Sequence, residues 1–346
     1  MLTSSRVKAA LVAVFLGLTA IFLVSENVTR DKILVLHSDG RTDAFAHRVD
    51  VGLRRAFGAK LTMTIRTHYM NAGMAADLAG EERIGEAAEG LVEKLRPTVL
   101  VAVGDDAQRY VASHLAGRTK PAIVFVGISG DIDRYRFHNQ PNVTGVIASR
   151  PYGAMRDLLL AANTFRPDRP LLRIAHISAD YEDYEYPDPG IASFDWKPLS
   201  LVSSRRVATF EAWQAAVKQS QLTADVIIVS IDERMRRSET DRSIAMESEI
   251  LNWTEANSAI PVLGLTLSNV EDGCMAAVGV SPYEQGLIAG KLAIALADRH
   301  VPASSIKIAE TTQFVVALSE SAMRRRGFEL PAIYHAFASA TGPNVK

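Results

Sequence analysis

Six short clusters of hydroxyl, acidic and glycine residues carry the polar chemistry of this chain: Ser38–Asp39, Gly104–Asp105, Gly127–Ser129, Ser178–Asp180, Asp232 and Thr266–Asn269. Each follows a short apolar run. Hydroxyls and backbone N–H groups suit a carboxylate, an acid suits an ammonium, and an apolar wall suits a side chain. The chemistry on offer is capture of a small, amino-acid-like solute. A Ser or Asp at any one of these positions serves equally well as a helix cap, and Asp105 fits an N-cap. The candidate ligand contacts are Ser38, Asp39, Gly104, Asp105, Gly127, Ser129, Asp180, Tyr181, Asp232, Thr266, Ser268 and Asn269.

Motifs for other chemistry are missing. Gly286–Lys291 (GLIAGK) has the wrong spacing for a phosphate loop and sits within a helical pattern. His37–Ser38–Asp39–Gly40 stands where a dinucleotide-binding G-x-G-x-x-G would follow the first strand. No H-E-x-x-H, C-x-x-C or G-x-S-x-G occurs, so neither an enzyme nor a cofactor is expected. The eight histidines are scattered; His37, His47 and His68 alone can converge, and solvated or capping roles suit them better than a metal. Asp180, Glu182, Asp183, Glu185 and Asp188 lack calcium-loop spacing. They read as a solvated loop, with Tyr181, Tyr184 and Tyr186 able to form a lid over a cationic or aromatic ligand. Cys274 is the sole cysteine, so no intrachain disulfide is possible, and it reads as a small core residue. Arg324–Arg326 reads as a solvated helix face.

The elements that must position the clusters alternate. Strand-like runs at 33–36, 61–66, 98–103, 122–126 and 143–148 are short and rich in Val and Ile, as in parallel sheets covered on both faces. Helical patterns at 44–57, 78–95 and 107–115 separate them. The pattern restarts with a helix at 154–165 and runs at 173–178, 199–203, 225–231 and 261–265, separated by helical stretches at 210–221 and 244–257. Two α/β halves meeting near Ser149–Pro151, each a doubly wound parallel sheet, imply two lobes with a cleft between them.

Ahead of these halves, Arg6 and Lys8 precede an uncharged run from Ala9 to Val24, the pattern of a secretory signal or signal-anchor spanning residues 1–26. The expectation is export to a bacterial periplasm. The run is shorter than the roughly twenty residues of a usual spanning helix. No clean A-x-A triplet precedes Ser25–Glu26–Asn27, so cleavage and retention both stay open. Charged residues make up 22% and hydrophobic ones 48%, a globular balance, and the formal net charge of −1 gives no basic excess for nucleic acid.

Three segments carry a resemblance. Pro121–Asp133 (PAIVFVGISGDID) is followed by Asn142–Gly145 (NVTG). Ile260–Gly290 (IPVLGLTLSNVEDGCMAAVGVSPYEQGLIAG) ends in Tyr-x-x-Gly-x-x-Ala-Gly. Phe314–Pro331 (FVVALSESAMRRRGFELP) reads as a closing strand, a helix and Gly-x-x-x-Pro. Together they resemble the ABC-transporter substrate-binding proteins of the periplasmic type I binding fold, in the branch that includes aromatic amino-acid binders. Two departures lie near the cleft: Gly130–Asp131 replaces a frequent Asp-Pro, and Asn139–Gln140–Pro141 shortens a Pro-Gly-Gly stretch.

The resemblance implies two lobes, 30–148 plus 282–310 and 149–281 plus 311–346. It implies a three-strand hinge near Ala148–Pro151, Val280–Tyr283 and Glu310–Gln313. The expected function is an exported solute-binding protein that delivers a small molecule to an ABC permease. The alternative is a sensory module of the same fold, held at the membrane by its leader and reporting to a membrane signalling partner.

Overall fold

The computed structural model describes residues 12–19, 31–58, 63–75, 78–128, 132–162, 172–180, 189–231, 234–241, 243–299, 301–341 and 344–345. The expected contacts Ser129, Tyr181 and Asp232, the acidic run beyond Asp180, and most of the leader lie outside them. Residues 12–19 form helix α1, with Val12, Val14, Phe15, Leu16 and Leu18 exposed. Among the described residues no helix is long and apolar enough to cross a membrane.

The first half alternates strand and helix: β1 (Lys32–His37), α2 (Ala44–Phe57), β2 (Thr64–Tyr69), α3 (Leu78–Leu95) and β3 (Val99–Val103). After β3 one helical segment runs through α4 (Asp105–Ala107), a π-turn at Gln108–Ala112 and α5 (Ser113–Leu115). β4 (Ala122–Ile128) and β5 (Val143–Ile147) follow. The second half holds α6 (Tyr152–Ala161), β6 (Arg173–Ala179), α7 (Pro189–Ser193), β7 (Ser200–Val207), α8 (Phe210–Ser220) and β8 (Val226–Ser230). A small hairpin, β9 (Arg234–Arg236) with β10 (Ile244–Met246), precedes α9 (Glu247–Asn257), β11 (Val262–Gly264), α10 (Ser268–Glu271) and β12 (Ala276–Val280). The chain closes with α11 (Pro282–Arg299), β13 (Ala309–Glu310), β14 (Phe314–Ser319), α12 (Glu320–Arg326), α13 (Ala332–Thr341) and β15 (Asn344–Val345).

Two large sheets result. One has the order β13-β5-β4-β3-β1-β2 with every pairing parallel. The other runs β15-β14-β12-β11-β8-β6-β7, parallel except where β14 meets β12. The central strands of each sheet are buried on both faces and read as unbroken apolar runs, whereas the edge strands β2 and β7 are partly exposed and polar. In β1, Ile33 and Val35 pack toward α2 and α11, whereas Leu34 and Leu36 pack toward α3 and the π-turn. In the second sheet, Ile174, Ile228 and Val278 face one cluster with Met155 and Trp196, while Ile177, Ile227 and Val262 face Trp213 and Leu251.

Helices α2 and α11 lie so close that a methyl on Gly52 would stand 2.1 Å from the Tyr283 carbonyl oxygen, and one on Gly286 2.1 Å from that of Val49. Only glycine allows this approach. The first sheet is therefore covered by a helix that begins directly after β12 of the second.

Three crossovers join the sheets. The chain leaves the first sheet after β5, returns after β12 through α11, and leaves again after β13 into β14. All three lie at the carboxyl ends of the parallel strands, because β14 runs antiparallel and starts beside the end of β12, Phe314 opposite Val280. The crossovers are bonded to one another. Thr311 N donates to Ile147 O (3.1 Å) and Ser281 N to Gln313 O (3.0 Å). The buried Glu284 carboxylate accepts Thr312 N (3.1 Å), Thr312 Oγ1 (2.9 Å) and Gln313 N (2.8 Å). This is a two-lobed α/β fold on a three-strand hinge.

Two expectations on the elements change. The helix expected over 244–257 begins at Glu247, because Ile244–Met246 pairs antiparallel with Arg234–Arg236. The second strand sits at 64–69 rather than 61–66, since its register with β1 starts at Lys32 opposite Thr64.

Candidate functional site

A hinge at the carboxyl ends of both sheets turns those ends toward each other. Residues that follow β1, β3 and β4 in one lobe and those that follow β6, β8 and β11 in the other lie at the strand ends where the crossovers run. This is where an open α/β sheet leaves room for a ligand.

In the first lobe, Ser38 is buried and fully engaged. Its hydroxyl donates to Val103 O (3.1 Å) and accepts from Ala107 N (2.8 Å). It therefore caps the helical segment after β3 from the neighbouring strand. Asp105 was expected to fill that role, but the N-cap is Gly104 with no side-chain bond. The Asp105 carboxylate instead accepts from Arg134 and from the Tyr135 hydroxyl. Gly104 and Gly127 both have φ of +87°, which a side chain would strain. A methyl on Gly104 would lie 2.7 Å from Ser38 Oγ, and one on Gly127 3.1 Å from the Phe45 ring. Gly127 N donates to Gln285 Oε1 (3.1 Å), tying the end of β4 to α11.

Asp39 and Asp106 are different. Both are half-buried, and among the described residues neither accepts a hydrogen bond. Burial, then the charge of Asp43, pushes Asp39 up to about 6, against a smaller pull from His37. Burial, then Asp105 and Asp39, pushes Asp106 up to about 6, against Arg109. Such a pair is unfavourable unless a cation joins it.

Behind this rim His37 is buried at the end of β1. Its Nε2 meets Asp50 Oδ1 at 2.9 Å, its ring stacks on Tyr69 at 4.9 Å, and Tyr69 donates to Asp50 Oδ2 at 2.5 Å. These bonds hold the Asp50 carboxyl below its ordinary value against the opposing effect of burial. His47 and His68 do not join them, and no metal-ligand cluster occurs among the described residues.

In the second lobe, Asp180 pairs with Arg206. Asn269, expected to face a ligand, is buried and satisfied within the fold. Its Oδ1 accepts Thr266 N (3.1 Å), and its Nδ2 donates to Ile231 O (3.1 Å) and Glu247 Oε1 (2.7 Å). It pins the ends of β8 and β11 to the start of α9. The Thr266 and Ser268 hydroxyls lie 3.3 Å apart on the exposed side of that turn.

Sequence reasoning passed over Asp106 and Glu284. Asp106 follows a named cluster and, unlike Asp105, accepts no hydrogen bond among the described residues. Glu284 lies in the Tyr-x-x-Gly motif, but its bonds reach a crossover 28 residues away.

No protein-family model matches the chain, and no curated protein matches its sequence. Solved structures do align along most of it. An ABC domain in complex with L-Trp from Streptococcus pneumonia is 13% identical, with TM-score 0.60 over 88% of this chain and 98% of that one. A ligand-free, open substrate binding protein with adhesive properties from Clostridium difficile is 14% identical, with TM-score 0.59 over 87% and 96%. An ABC-transporter solute binding protein from R. palustris in complex with benzoate is 14% identical, with TM-score 0.52 over 84% and 93%. Binding proteins, rather than enzymes, thus share the arrangement of lobes and crossovers. At these identities the likeness establishes architecture, and the chain has the type I periplasmic binding fold.

Proposed function

We propose that this chain is an exported solute-binding protein that closes its two lobes, 30–148 plus 282–310 and 149–281 plus 311–346, over a small ammonium-bearing molecule such as an amino acid. The carrying observation is the pair Asp39 and Asp106, half-buried carboxylates at the cleft edge that accept no hydrogen bond among the described residues. An ammonium between them relieves both their burial and their mutual repulsion. A Trp ligand in one structural neighbour, itself an amino acid, is consistent with this choice. Thr266 and Ser268 offer hydroxyls from the opposite lobe.

Delivery to an ABC permease is the favoured role. A mature N-terminus near Glu26 supports it. Retention of the leader in mature protein assigns the chain instead to a membrane-held sensor.

The test is mass spectrometry of small molecules released by denaturing the freshly purified protein. An amine at stoichiometric level, absent from the Asp39→Asn, Asp106→Asn double variant, is the expected result. A stoichiometric ligand without an amine, or equal occupancy in the variant, sinks the assignment.

A further inference from the structure

Away from the cleft, at the amino ends of the first sheet's strands, lies an open concavity of about 260 Å³. Lys32 opens β1, Thr64 and Arg66 lie on the edge strand β2, and Lys94 and Leu95 end α3; together with Pro97 they line it. Lys32 and Thr64 are register partners, which fixes the concavity at the strand starts. Among the described residues its lining contains three cations and no carboxylate.

None of the three cations forms an ion pair among the described residues. Five arginines elsewhere are neutralised, Arg134 by Asp105, Arg173 by Asp225, Arg206 by Asp180, Arg237 by Glu249 and Arg326 by Glu255. The acid beside Lys32 is diverted, because Asp31 Oδ1 accepts the Thr98 hydroxyl (3.1 Å). Three like charges around one hollow, with no acid paired to them among the described residues, favour an anion there.

We propose that this concavity binds a phosphate-bearing anion. A planar guanidinium, two compact ammoniums and the Thr64 hydroxyl exceed what a single carboxylate can engage. They match the several oxygens of a phosphomonoester, a diphosphate or a lipid headgroup. The site is independent of the cleft and of the solute held there. Lys32 stands eight residues beyond Val24 in sequence, so a retained leader brings this face near headgroups.

Thermal unfolding of the full chain in sodium diphosphate at fixed ionic strength tests the site. A saturable rise in Tm is expected. In the Arg66→Gln, Lys94→Gln double variant the rise is lost or needs at least about ten-fold more diphosphate, while the response to the cleft solute stays unchanged. Both side chains are exposed, so the variant's Tm without diphosphate should match or exceed wild type, and this checks folding. No saturable rise in wild type, or an equal one in the variant, overturns the proposal.

Flotation with vesicles separates the two sources. A preference for phosphatidylglycerol-containing over pure phosphatidylcholine vesicles, lost in the variant, assigns the anion to a headgroup. Diphosphate binding without that preference assigns it to a soluble phosphorylated compound. A single-stranded oligonucleotide bound at least ten-fold tighter than diphosphate, and lost in the same variant, overturns the small-anion assignment.

Discussion

Asp39 and Asp106 titrate near 6 in the folded chain, whereas an ordinary aspartate titrates at 3.8. Between those values the fold holds protons that the unfolded chain has released. The two groups therefore destabilise the empty protein progressively as pH rises from about 4 to about 6, and by a constant amount above that. Asp39→Asn removes one such charge. We expect it to stabilise the empty chain at pH 7 by about 1–2 kcal/mol, with the gain vanishing near pH 4. Paired urea titrations of wild type and variant at the two pH values isolate this effect from Asp50, whose shift is opposite and common to both. The same substitution should abolish binding of an ammonium solute, and wild-type affinity should fall as pH drops through about 6. A gain in stability without loss of binding would leave Asp39 a strained residue with no ligand role. Its place after the first strand made Asp39 legible in the sequence. Asp106 was not, because nothing along the chain says that Arg134 and Tyr135 fold back onto its neighbour.

At the scale of elements, long periodic segments were the legible ones. Helices over 44–57 and 78–95 appear with the bounds that their amphipathic spacing predicts, because each buries one face on a sheet and needs no distant partner to define its ends. The β9–β10 hairpin was not legible: three-residue strands carry no periodic signal, and Ile244–Met246 continues smoothly into a helical pattern. The seam between α2 and α11 was hidden too, since its glycines lie more than two hundred residues apart in sequence. That seam makes a sharp prediction. Gly286→Ala places a methyl against the Val49 carbonyl and forces the helices apart, at an expected cost of about 2–3 kcal/mol. A shift in the urea midpoint measures it, and an unchanged midpoint would mean that the helices have slack the close approach does not suggest.

For the whole molecule, the hinge sets how far the lobes separate. Glu284 binds one crossover to the start of α11, and Glu284→Ala leaves the Thr312 and Gln313 N–H groups without their acceptor. We expect a loss of about 2 kcal/mol in stability. We also expect a larger radius of gyration for the empty chain by small-angle X-ray scattering, with the solute-bound value unchanged. Equal radii in wild type and variant would show that the other two crossovers alone set the opening. Because each sheet keeps its own buried clusters, we expect closure about the hinge to be a rigid-body motion in either case.

The threading of three crossovers also dictates an order of assembly. Strands β1 to β5 emerge early, yet the face of their sheet that carries Ile33, Val35 and Val124 is covered only in part, by α2, until α11 arrives with Ala289, Ala293 and Leu296. At synthesis rates of about 5–20 residues per second, the gap between β5 and α11 leaves that cover incomplete for roughly ten seconds or more. A polypeptide emerging amino end first thus cannot finish its first lobe before most of its second has appeared. For export as proposed above, that delay would keep the leading half pliable enough to be threaded through a narrow channel until the last fifth of the chain, from α11 on, follows.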